Sequence, residues 1–62
     1  MNAVIRTDDN GHTFLIVKGM TKEEADRLFA KVSNGHKQLY EIVSYATEDD
    51  FALIATQRNI KY

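Results

Sequence analysis

The tripeptide Asn-Gly-His occurs at 10–12 and again at 34–36, and the two copies hold both histidines of this 62-residue chain. Two imidazoles and a carboxylate can bind zinc or another divalent ion, and Asp8 and Asp9 stand just before His12. A histidine next to an aspartate is also the raw material of general acid–base chemistry. Spacing supports neither use. Helical metal-binding histidines recur at i and i+4, whereas His12 and His36 belong to different segments. The chain has no cysteine nucleophile, no glycine-rich phosphate loop and no G-x-S-x-G elbow. Ser33 and Ser44 lack a base and an acid in their surroundings. A fold this short has little room for the ~300–1,000 Å³ pocket typical of small-molecule sites. No catalytic residue, metal or cofactor is therefore predicted.

The Asn-Gly halves of the repeat have a conformational explanation. At 10–11 the pair suits a tight hairpin, since both residues tolerate positive φ. At 34–35 it suits a helix stop, with Gly35 as the left-handed residue after the last turn. His36 just past that end is favoured by the helix dipole. The repeat reads as reuse of turn chemistry, because a true repeat array needs three or more units.

The elements that position these residues follow from pattern. Ala3–Thr7 and His12–Lys18 are β-branched and flank Asp-Asp-Asn-Gly, which predicts a β-hairpin. Thr21 with Glu24 makes a capping box. Ala25, Leu28, Phe29 and Val32 follow at i, i+3, i+4 and i+7, which predicts a helix over about Lys22–Ser33. Lys18, Lys22, Arg27 and Lys31 are interleaved with Glu23, Glu24 and Asp26 and read as a salt-laced solvent face. "KQLYEIVSYA" is strand-like. The last segment permits two readings. Alternation of Phe51, Leu53 and Ala55 makes it a strand hairpinned to the one before, with Glu48-Asp49-Asp50 as a solvated turn. Thr47 with Asp50 repeats the cap spacing and permits a helix over 48–58. The strand reading is favoured, giving one small α+β domain over 1–62. Its order is ββαββ, a four-stranded mainly antiparallel sheet with one helix on one face. The alternative is ββαβα.

One helix covers one face. In the favoured reading Ala3, Ile5, Phe14 and Ile16 meet Leu28, Phe29 and Val32, and the opposite face carries Val4, Arg6, Leu15, Val17, Val43, Tyr45 and Ile54. An antiparallel sheet facing water is normally polar on that side, and contiguous apolar patches mark interfaces. These seven residues are the expected interface. Composition points the same way. A domain of this size buries only roughly 60% of its unfolded surface, and without cysteine it has no disulfide to add stability. Homo-oligomerisation, with a C₂ dimer as the default, would supply it.

Net charge is −1, which argues against strong nucleic-acid binding. No stretch approaches the ~18 apolar residues of a membrane span, and "MNAVIRTDDN" has no basic start with a long apolar run. The expected role is a small cytoplasmic, non-catalytic protein-interaction module. It would be a homo-oligomeric inhibitor or regulator of another protein, of the kind phage and mobile elements encode. Two rivals stand beside it. One is a nucleic-acid-binding regulator using Arg6, Lys18, Tyr45 and Arg58. The other is an oligomeric small-ligand binder using His12, His36 and arginines.

Overall fold

The structure, a computed structural model, describes residues 1–34 and 39–62. The elements are β1 (Asn2–Thr7), β2 (Thr13–Met20), α1 (Lys22–Ser33), β3 (Leu39–Ser44), α2 (Glu48–Arg58) and β4 (Ile60–Lys61). The strands form one sheet in the order β3-β1-β2-β4. β1 is antiparallel to both neighbours and the short β4 is parallel to β2. The mainly antiparallel four-stranded α+β fold expected from sequence is formed. Of the two readings of the last segment, residues 48–58 take the helical one, and Ile60–Lys61 supply the fourth strand.

Both helices start where cap chemistry places them. The Thr21 hydroxyl accepts from the Glu24 N–H at 3.1 Å, and the Glu24 carboxylate accepts from the Thr21 N–H at 3.0 Å. That backbone donor holds the Glu24 carboxyl below its ordinary pKa. In α2 the Thr47 hydroxyl accepts from the Asp50 N–H at 3.1 Å. Asn59 closes α2 in the left-handed conformation, φ 58°, with its N–H directed at the Ala55 and Thr56 carbonyls. Helical geometry brings Phe51, Ile54 and Ala55 to one side, against the sheet, and leaves Leu53 58% exposed. The alternation that favoured a strand is therefore not what buries this segment.

The first hairpin differs from expectation by one residue. Asp8 Oδ1 accepts from the N–H groups of Asn10 and His12 at 3.0 and 2.9 Å, and the Asp8 N–H donates to the His12 carbonyl at 2.9 Å. Gly11, at φ 82°, completes the loop. His12 thus closes the turn instead of opening β2, and Thr7 pairs with Thr13. Pairing His12 with Thr7 would have put Ile5 opposite Phe14; the observed partner of Ile5 is Leu15. A slip of one residue exchanges the faces of a strand. Ala3 and Ile5 accordingly do not share a face with Phe14.

β2 and β3 run in the same direction with β1 between them. α1 crosses the sheet from β2 to β3, and α2 crosses back from β3 to β4. A common hand for the two crossovers puts the helices on opposite faces, and side-chain alternation agrees. Ala3, Ile5 and Val43 bury against Phe51, Ala55 and Ile60 on the α2 side, with Leu15 packed beside them. Val4, the intervening residue, is fully buried on the α1 side, as is Ala25 of α1. Both helices run antiparallel to β2 and β3, so their N-termini lie at the same end of the sheet.

Candidate functional site

The interface expected from sequence is not one surface. Val4, Val43 and Tyr45 are buried within the chain, at 0%, 7% and 6% exposure. Leu15 and Ile54 pack against the α2 core. Arg6 and Val17 are half-buried and lie on the α1 face, paired with Phe14 and Val4. Two physical causes separate the set. The face thought to be open is covered by α2, and the strand registers divide the set: Val43 pairs with Ala3 instead of Val4, and the irregularity between Val4 and Ile5 puts Leu15 and Val17 on opposite faces.

The contacts of the nucleic-acid rival are also largely engaged inside the chain. Arg58 makes a bidentate pair with Glu41, at 3.0 and 2.7 Å. The pairing holds the Glu41 carboxyl below, and the Arg58 guanidinium above, their ordinary values. Lys18 donates to Glu48, which raises its pKa, and lies over the Phe51 and Tyr62 rings. Tyr45 accepts a 2.7 Å hydrogen bond from the Gly19 N–H and packs on Phe51. Gly19 sits at φ 74°, where a side chain would be strained.

At the hairpin end, His12 Nδ1 lies 3.7 Å from Asp8 Oδ2. The Asp8 carboxyl is lowered below its usual range, first by the His12 backbone donor. His36 lies outside the described residues. Among the described residues no three histidine, aspartate or glutamate side chains gather as a metal site would require. A depression of about 530 Å³ between Met1, Lys22, Ser44 and Ala46 is shallow and open.

The feature that sequence reasoning missed is the edge of the sheet. With 48–58 helical, β3 has β1 as its neighbour and, among the described residues, nothing beyond it in the sheet. The Tyr45 N–H donates to the Met1 carbonyl at 2.9 Å and the Met1 nitrogen to the Tyr45 carbonyl at 2.8 Å. That exchange marks a hydrogen-bonded pair of the antiparallel ladder, and such pairs alternate. In the unbroken β1–β3 register, Val43 and Glu41 therefore turn their backbone groups towards β1, while Ile42 and Ser44 turn theirs outward. Native edges are commonly blunted by lysine, proline or a bulge. β3 contains no lysine or proline, and its register shows no shift. Its one charge, Glu41, is held by Arg58 on the α2 face. Leu39 at its start is 72% exposed. The residue types of such an edge are visible in the sequence, but strand order is what exposes it.

No protein-family model, no curated protein and no solved structure matches this chain.

Proposed function

We propose that this chain is a non-catalytic protein-interaction module that self-associates through the outer edge of β3 and acts as an inhibitor or regulator of another protein. The observation that carries the reading is the unprotected edge, with the backbone groups of Ile42 and Ser44 directed outward. A strand added there gains main-chain hydrogen bonds without disturbing either core. Two copies related by a dyad can meet antiparallel with Ile42 opposite its own copy. Glu41 then faces Val43, so no like charges oppose one another. Pairing two edges in this way gives a C₂ dimer with one continuous sheet. A second protein that offers an extended strand competes for the same edge, which is a direct route to regulation.

Sedimentation across a concentration series, combined with backbone amide exchange, tests the proposal. The expected result is a dimer in which the Ile42 and Ser44 amides become protected as concentration rises. S44P deletes the outward donor and is expected to give a monomer; S44A keeps the amide and is expected to stay dimeric. A wild-type monomer with rapidly exchanging Ile42 and Ser44 amides at every concentration overturns the reading.

A further inference from the structure

The register places four residues in one line across the sheet. Tyr40 pairs with Arg6, Arg6 with Phe14, and Phe14 with Lys61, spanning β3, β1, β2 and β4 in turn. Paired residues share a face, so the line lies on the α1 side, aromatic alternating with cation. The Arg6 guanidinium carbon is 5.4 Å from the Phe14 ring centre and the Lys61 ammonium is 5.8 Å from it. The His12 ring meets the same phenyl edge-on at 6.5 Å. Three basic side chains are thus gathered around one ring.

What sets these cations apart from Arg27 and Lys31, which also have no carboxylate partner among the described residues, is the shared aromatic ring. Lys18, Lys22 and Arg58 each hold a carboxylate. Among the described residues Arg6 and Lys61 have no carboxylate partner, although Asp8 feels the Arg6 charge at longer range. Among the described residues, Arg6 Nε is moreover buried with no acceptor. Buried donors are normally satisfied, and a guanidinium and an ammonium gathered around one ring favour an anion with several oxygens.

We infer that Arg6, Phe14 and Lys61, with His12 beside them, form a binding site for a phosphate group. The phosphate is drawn by the guanidinium and the ammonium, which both lie against the Phe14 ring. The inference is independent of the β3 edge. It is also compatible with a net charge of −1, because the site is local. A phosphate of this kind can come from a free nucleotide or from a single-stranded nucleic acid.

Amide-shift titrations of the full chain test it, using inorganic phosphate, a mononucleotide and a short oligothymidylate as separate probes. Saturable shifts at Arg6, Phe14 and Lys61 are expected with each. K61Q, at an exposed position, is expected to weaken binding several-fold without affecting the fold, and R6Q with K61Q at least about tenfold. The salt dependence of the oligonucleotide complex is expected to lose about one unit of slope per cation removed. K22Q, at the other end of the sheet, is expected to bind as the wild type does. A much tighter oligonucleotide than mononucleotide complex identifies nucleic acid as the source, and equal affinities identify the free phosphate ester. Absence of saturable shifts, or equal binding by wild type and the double variant, overturns the site.

Discussion

The two faces of the sheet are packed differently. On the α2 side Ala3, Ile5, Val43, Phe51, Ala55 and Ile60 form a dry cluster. On the α1 side Val4 and Ala25 are buried, but Leu28, Phe29, Val32, Ile42, Phe14 and Val17 are all only half-buried. α1 lies chiefly over β3 and β1, so the part of β2 on that face is thinly covered and Ile16 is 41% exposed. The helix with the clearest apolar stripe is thus the looser one, and the helix with the weaker stripe holds the core. Periodicity reports which side of a helix turns inward. How much is buried depends on where the helix lands and on the size of the residue that lands there.

Deletion of the central aromatic on each face is the strongest way to break this contrast. Phe51→Ala is expected to cost about 3–5 kcal/mol, while Phe29→Ala, already partly wet, is expected to cost about 1–2 kcal/mol. Equal losses in denaturant unfolding would abolish the distinction. Next in size are the strand residues. Ile5→Ala is expected to lose about 2–4 kcal/mol and Ile16→Ala about 0.5 kcal/mol or less. The reverse order would mean that Phe14, not Leu15, faces Ile5 and that the hairpin has the other register. The caps come third. Thr21→Ala and Thr47→Ala are each expected to cost about 1 kcal/mol. Thr21→Ala should also reduce, without abolishing, the lowering of the Glu24 pKa, because the Thr21 N–H that mainly causes it remains, read by carboxyl NMR titration.

A comparably small effect belongs to the Glu41–Arg58 pair, which joins β3 to the end of α2. Both partners are about half exposed, so the pair is expected to contribute roughly 0.5 kcal/mol in a double-mutant cycle. Its pH dependence has a defined sign. The folded Glu41 carboxyl is lowered from 4.5, so the contribution is present above that value and disappears as pH falls through the lowered one. A coupling energy that persists in strong acid would show that the pair acts through packing instead.

Much of this was legible in the residues. Thr21 with Glu24 fixed the start of α1, and the i, i+3, i+4 stripe fixed its extent. For α2 the signals were present but outvoted. Thr47 with Asp50 read as a cap but was set against the alternation of Phe51, Leu53 and Ala55, while the stripe of Phe51, Ile54 and Ala55 and the stop at Asn59 went unread. A short segment supports both periods, and the choice is made by what it packs on. The hairpin register turned on Asp8. Its carboxylate binds two backbone donors and so adds His12 to the loop, and Asn-Gly by itself does not distinguish a two-residue turn from a longer one. The expected interface inherited both errors, and the strand registers divide its residues between two faces. The edge of β3 and the Tyr40–Arg6–Phe14–Lys61 line depend on strand order, a long-range property that local pattern does not encode.

The parallel course of the two helices has an electrical consequence. Their first turns carry Glu23 and Glu24 in one, and Glu48, Asp49 and Asp50 in the other. Their last turns carry Lys31 and Arg58. The two macrodipoles point the same way and add, and the side chains, following cap preferences, offset the partial charge at each terminus with a full charge of opposite sign. The acidic first turns of both helices therefore gather at one end of the sheet, with Lys18 and Lys22 among them, while Arg6, Lys31, Arg58 and Lys61 lie at the other end with Asp8 and Asp9. In the field of a charged partner such a body turns before it touches.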